Sequence, residues 1–259
     1  MNHATTCIRK TNLLLSALEP AERQRLEADL QWVELPRDLM LYQAGCKLRH
    51  VHFPASAIVS LVSAVDDGTA TEVAVVGNEG VVGVCAFLGG GPALSSAVVQ
   101  RAGHGWRMSA ESIAQHTQRS ADVMQIFLRY TQSLFNQLTQ TSACNRHHGL
   151  EQLLCRWLLL HIDRAAGDEL TVTHERIAGM LGVRREGVTE AAIRLQKDGL
   201  IRYSRGRIAI SNRTGLEKRC CECYAVMRKP DDRPSMAPRS PSTVSPAPSA
   251  FRTVGSTAA

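Results

Sequence analysis

The stretch Thr173–Gln196, THERIAGMLGVRREGVTEAAIRLQ, constrains the fold of this 259-residue chain more narrowly than any other. Apolar residues recur at helical intervals on both sides of Gly182, which predicts two short helices joined at a tight turn. Ala178 is small enough for the second helix to cross closely over the first. Gly182 can take the positive φ that ends the first helix. Val188 falls where it points back into the seam, beside Ile177 and Leu181. Thr173 suits an N-cap, and Glu175 in the first turn suits the helix dipole. These are the marks of a helix-turn-helix, and in DNA-binding versions the start of the second helix enters the major groove. Arg184, Arg185 and Glu186 stand there. Arginine can pair with guanine O6 and N7, and glutamate can accept from cytosine N4.

The segment that follows agrees. Gly199–Ile210, GLIRYSRGRIAI, alternates apolar and polar residues around Arg205-Gly206, as a β-hairpin wing would. Such a wing gives Arg205 and Arg207 a route to phosphate. Charge is distributed to match. Thr171–Lys229 holds 13 Lys and Arg against 6 Asp and Glu, whereas the remainder holds 17 against 18. The whole positive excess therefore lies on the candidate reader, as phosphate neutralisation requires.

The other regions divide by pattern. Residues 13–30 have helical spacing, with a helix start at Pro20. From Gln31 to about Met108 short β runs take over (MLYQ, HVHF, AIVSLVSAV, ATEVAVVG, SAVVQRA), and Asp67-Gly68 marks a hairpin between two of them. Many short strands at this spacing predict a compact β-roll. A small helix is expected from Ser109, then a long one over about Ala121–Cys144. Its apolar stripe runs through Val123, Ile126, Phe127, Tyr130, Leu134 and Leu138. That stripe could pack on the β-roll; the sharper expectation is a homodimer seam through Val123, Phe127, Tyr130, Leu134 and Leu138. Leu150–Ile162, LEQLLCRWLLLHI, is a core helix beneath the helix-turn-helix, with Trp157 as packing. His147-His148 reads as a solvated linker. Six of the ten prolines fall from Pro230 onward among Ser, Ala and Thr, a disordered composition.

The expected class is thus α+β: an antiparallel β-roll over 1–120, a long dimerisation helix and hinge over 121–146, a winged helix-turn-helix over 147–228 and a tail over 229–259. No stretch approaches the ~20 apolar residues of a membrane span. The N-terminus lacks the apolar core of a signal peptide. A cytoplasmic chain with eight reduced cysteines is expected, interacting with no membrane.

β-roll, long helix and winged helix-turn-helix together resemble the Crp-Fnr family of bacterial transcription regulators. The resemblance covers about residues 13–228 and is most specific at GVRREGVTEAA (Gly182–Ala192) and the wing. VHFPASAIVSLV (Val51–Val62) is similar to the β-roll of less studied members. It implies a homodimer on near-palindromic double-stranded DNA, a sensory β-roll, and RNA polymerase as a partner. It also implies base reading by Arg185 and Glu186, with Thr189 and Glu190 nearby, and phosphate contacts from Thr173, His174, Arg184, Arg194, Arg205 and Arg207. One departure is that Thr189 and Glu190 stand where better-known members carry a further basic residue.

A second departure concerns the effector. Members that hold cyclic nucleotides use a Glu after a Gly for the ribose and an Arg-Ser or Arg-Thr for the phosphate. Here Gly83 is followed by Val84, Leu94-Ser95-Ser96 replaces the Arg-Ser, and the nearest Arg is Arg101, beyond the strand. A buried phosphate without a cation is strongly disfavoured. Cyclic nucleotide is not the expected effector, no cofactor is expected, and the effector stays open. Only Cys7 lies near the N-terminus, which argues against an iron–sulfur cluster there. Cys220, Cys221 and Cys223 offer an alternative function, a thiol- or metal-responsive regulator, if Lys218 and Arg219 lower a thiol pKa; packing in a terminal helix is the simpler reading. No catalytic constellation stands out.

Overall fold

Near the start of the described residues, Asn12 satisfies three groups at once. Its side chain accepts from the Leu15 amide and donates to the carbonyls of Pro54 and Gly80, both at 2.8 Å. The structure, a computed structural model, describes residues 11–64, 70–165 and 167–228. Asp67-Gly68, Cys7 and the segment 229–259 lie outside the described residues. Helices α1 (Leu13–Ser16) and α2 (Pro20–Glu27) form within the segment of helical spacing over 13–30, with α2 starting at Pro20. The break precedes Pro20, whose ring disfavours a helical conformation at the residue before it.

Among the described residues seven strands follow: β1 (Gln31–Leu35), β2 (Met40–Tyr42), β3 (His50–Pro54), β4 (Ile58–Ala64), β5 (Ala70–Val76), β6 (Ser96–Arg101) and β7 (Gly103–Ser109). They form two antiparallel sheets, ordered β1-β7-β3 and β2-β6-β4-β5. β4 and β5 pair from Val59↔Val76 to Ala64↔Ala70. The polar sequence of β7 hid it, yet its glycines are required by sheet contacts. A Cβ on Gly103 would lie 2.4 Å from the Ala57 nitrogen, and one on Gly105 2.6 Å from the Phe53 oxygen.

Ser109 caps α3 (Ala110–Arg119) and Ser120 caps α4 (Ala121–His147). α4 lies on the β-roll. Phe127 meets Phe53 and Phe87 edge-on, at centroid distances of 6.0 and 5.1 Å. Gln137 of α4 accepts from the Val75 amide at 2.7 Å and donates to the Val75 carbonyl, so a side-chain amide closes the edge of β5.

The expected dimer stripe is thereby corrected. Val123, Phe127 and Leu134 are buried within the chain, and Tyr130 and Leu138 pack against the same clusters. A stripe shows which face is apolar but not what covers it, and here the β-roll does.

α5 (Leu150–Arg164) is buried on nearly every side from Leu153 to Ile162. Its cluster takes in Ile58 and Val75, which joins the β-roll to the C-terminal half. Arg164 donates to Glu79 at 2.6 Å across the same boundary. The remaining elements are β8 (Glu169–Thr171), α6 (His174–Leu181), α7 (Arg185–Lys197), β9 (Ile201–Ser204), β10 (Arg207–Ile210), α8 (Arg213–Arg219) and α9 (Cys223–Met227). Among the described residues no helix is long and apolar enough to cross a membrane.

His52 sits buried in β3, and burial, then His50 and Arg107, push its pKa down to about 4. Above pH 6.5 it is neutral folded or unfolded. Between pH 6.5 and 4 the unfolded chain binds a proton that the folded chain refuses, so stability falls as pH falls. The full loss is about 3 kcal/mol at 1.36 kcal/mol per pKa unit. Urea unfolding of wild type and His52→Gln across this window should show a shallower pH slope in the variant; equal slopes would refute the assignment.

Candidate nucleic-acid interface

The first helix of the pair is set by its ends. Thr173 accepts from the Arg176 amide at 3.2 Å and caps α6. Gly182, at φ +66°, closes it in the left-handed region, and the Val183 amide returns to the Ala178 carbonyl at 3.0 Å. α7 then begins after Arg184, with Glu186 in its first turn where the dipole favours a carboxylate. Ile177, Ala178, Leu181, Val188, Ala191, Ala192 and Leu195 are all buried in one cluster with α5. Ala178 and Val188 lie in that cluster, and Gly182 makes the turn between the two helices.

With that face buried, α7 exposes Arg185, Glu186, Glu190, Ile193 and Lys197. At 100° per residue, Glu186, Glu190, Ile193 and Lys197 centre on the side opposite the core. Ile193 is 61% exposed, an apolar side chain in the middle of a polar face. Its helical angle, shared with Glu186, Glu190 and Lys197, was the sequence signal that could have marked it. Arg185 lies 3.8 Å from Glu175, but both are exposed and the pair holds it weakly.

One expected contact turns inward instead. The imidazole of His174 is buried, stacked on Tyr203 at 4.1 Å, with Nδ1 3.1 Å from the Thr189 hydroxyl. Burial, then Arg185, lowers its pKa, which keeps the ring neutral. Thr189 also donates to the Arg185 carbonyl at 3.0 Å. His174 thus pins α7 to β9 rather than offering its ring to phosphate. Arg194 stays exposed and donates to Glu151 at 2.9 Å, in a network with Arg219 and Asp198.

The wing forms as expected and gains a strand. β9 and β10 pair with Ser204 opposite Arg207, and Arg205 (φ +48°) and Gly206 (φ +76°) make the turn. Two positive φ values in a two-residue loop match the hairpin twist. β8, too short to read in the sequence, pairs with β10, and the Val172 amide donates to the Gly206 carbonyl at 2.8 Å. The wing tip is thereby held beside Thr173. Arg207 is exposed and 3.6 Å from Glu169. Among the described residues, Arg184, Arg202 and Arg205 have no carboxylate within ion-pairing distance. The surface around α7 and the wing is therefore rich in uncommitted cations.

This half rests on the β-roll. Arg176 of α6 donates to Gln100 at 2.7 Å and pairs with Asp38, and His161 Nε2 lies 3.3 Å from Glu72. Gly182 approaches Thr71 so closely that a Cβ would lie 2.8 Å from its hydroxyl oxygen.

In the β-roll, Gly83 (φ +106°) precedes a 3-10 turn, Val84–Ala86, and Leu94 points into solvent. Arg101 is the last residue of β6 rather than beyond it. With Arg37, Gln100, Trp157 and His161 it lines a cleft of about 430 Å³ between the two halves.

Cys221 and Cys223 are buried, as packing in a terminal helix implies, and the surroundings of Cys220 work against a lowered thiol pKa. Arg219 is committed to Glu151 and Asp198, and burial, followed by Cys221, pushes the Cys220 thiol up rather than down. His148 is no solvated linker: its Nδ1 lies 3.5 Å from Cys223 Sγ. Cys144 and Cys221 place their sulfurs 3.5 Å apart. Nothing in the sequence tied residues 144 and 148 to a cluster more than seventy residues away.

Residues 32–120 match the cyclic nucleotide-binding domain family and residues 152–219 the Crp-like helix-turn-helix domain family. No curated protein matches. Solved structures share the fold at low identity. FixK2 from Bradyrhizobium japonicum is 17% identical, with 74% of this chain and 98% of that one covered and a TM-score of 0.63. The CRP-family transcriptional regulator TTHB099 from Thermus thermophilus is 20% identical, covering 72% and 95%, at 0.61. CLP from Xanthomonas campestris, a c-di-GMP-responsive global regulator, is 16% identical, covering 74% and 99%, at 0.60.

Gly182→Ala combines a strained φ with a clash against Thr71 and should cost about 1 kcal/mol or more. Thermal unfolding would detect it, and an unchanged midpoint would contradict the turn's role.

Proposed function

This chain belongs to the Crp-Fnr family of DNA-binding transcription regulators, and from that premise we propose that it reads near-palindromic DNA as a homodimer. The observation that carries the reading is the open face of α7, flanked by cations and by the wing tip. Arg185 pairs with guanine and Glu186 with cytosine. Glu190 and Thr189 lie one turn on, and Ile193 suits a thymine methyl. Thr173, Arg184, Arg205 and Arg207, joined by Arg202, meet phosphates. Arg194 and His174 serve the interface indirectly, by holding α7 in place. RNA polymerase is the partner of the bound dimer. The effector is not a cyclic nucleotide, since Val84 and Leu94-Ser95 offer neither a ribose acceptor nor a phosphate cation.

The seam of the dimer is moved to the outer face of α4. Gln125, Leu128, Gln132, Phe135, Thr139, Ser142 and Arg146 are exposed there. They recur at alternating three- and four-residue steps, the spacing of a two-helix seam. Leu128 and Phe135 are 46% and 62% exposed, large apolar side chains that a second copy would cover.

Binding of Arg185→Ala and Arg205→Ala to a selected site and to random DNA tests the reader. Arg185→Ala should lose about 1–3 kcal/mol on the selected site and relax base preference at one position per half-site. Arg205→Ala should weaken both DNAs alike and reduce the salt slope by about 1. Equal losses for Arg185→Ala on the two DNAs would sink the base-reading role. For the seam, Leu128→Asp/Phe135→Asp should shift the protein from dimer to monomer in sedimentation, whereas a dimer that survives would refute it.

A further inference from the structure

We propose that Cys144, His148, Cys221 and Cys223 form a tetrahedral site for one zinc-class ion, which ties the end of α4 to the C-terminal turn α9. The four donor atoms lie within 4.8 Å of one another. Cys144 Sγ and Cys221 Sγ are 3.5 Å apart, as are Cys223 Sγ and His148 Nδ1. With Zn–S about 2.3 Å and Zn–N about 2.0 Å, the edges of a tetrahedron measure roughly 3.5–3.8 Å, so these two pairs already stand at ligand spacing and the other donors need close in by no more than about 1 Å. Cys144 and His148 are four residues apart and share a face at the end of α4. Cys221 and Cys223 flank the start of α9. Three soft thiolates with one imidazole favour zinc over magnesium or calcium.

The surroundings are those of a metal site as well. His148 Nε2 faces Glu222 at 3.3 Å, leaving Nδ1 for the ion, so a carboxylate orients the ring as it does behind many zinc-bound histidines. The Gln140 amide donates to Cys223 Sγ at 3.0 Å. Arg156, only 4% exposed, lies beside Cys144. Its guanidinium donates to the neutral side chains of Thr141 and Asn145. Among the described residues no carboxylate is within ion-pairing distance of it, and its Nε has no partner. A buried cation without a counter-charge is costly. Three thiolates around a divalent ion carry a net −1, which supplies the missing charge. Since α4 also carries the proposed dimer seam and α9 belongs to the DNA-binding half, the ion would stiffen the joint between them, a consequence that rests on the dimer reading.

The test uses the full chain, purified reduced, loaded with Zn²⁺ and dialysed, with metal content read by mass spectrometry. A parallel Co²⁺ titration is followed by absorption. Wild type should retain one zinc per chain and develop thiolate-to-cobalt charge transfer with strong tetrahedral d–d bands, complete at one equivalent. Cys221→Ser/Cys223→Ser should lose both signals, while Cys220→Ser and Cys155→Ser keep them. Glu222→Gln should weaken zinc binding about 10- to 100-fold. Reduced wild type that holds no stoichiometric zinc and gives octahedral cobalt would overturn the site, whatever the variants do. So would a double variant that keeps both signals. Neither readout involves DNA, so failure here and failure of the reader are told apart.

Discussion

The seam between α6 and α7 is the constraint on which the rest of the interface depends. Val188, Ile177, Ala178 and Leu181 are buried together, and Gly182 turns the chain so that this packing is possible. Burying that side of α7 leaves Arg185, Glu186, Glu190 and Ile193 on the other. His174 adds a polar lock, joining Thr189 of α7 to Tyr203 of the wing. Because the wing is also laced to β8, α7 and the wing tip form one rigid surface. Flexible cations can then settle on phosphate without losing the register that base contacts need.

The same helices are tied to the β-roll. α5 shares its core with Ile58 and Val75, and Arg164 and Arg176 bridge the boundary to Glu79, Asp38 and Gln100. Movement of the β-roll against the helix-turn-helix must break or trade these contacts. The cleft lined by Arg37 and Arg101 opens at this boundary. A change within the β-roll therefore has a physical route to α7.

Local signals were legible in the sequence and tertiary ones were not. Thr173, Gly182 and Arg205-Gly206 act through their own backbone, so caps and turns could be read directly. β7 could not, because Gly103 and Gly105 are chosen by neighbouring strands rather than by alternation. The stripe on α4 was visible, but its cover was not: Phe127 packs on Phe53 and Phe87, and only the structure reveals the outward, mostly polar series through Leu128 and Phe135. His174 looked like a surface group and Arg194 like an unpaired one, because residue type alone cannot show a stacked ring or a carboxylate such as Glu151. Cys144 and His148 gained meaning only when folding brought them to Cys221 and Cys223.

The most direct measurement is selection from a random DNA pool by the purified protein at fixed salt, followed by sequencing. A two-fold-symmetric site is predicted, with half-site centres about one helical turn apart, roughly 34 Å, and a G·C pair at the position Arg185 and Glu186 read. Enrichment of no sequence over the starting pool, or of a single asymmetric element, would contradict a dimeric reader built on α7.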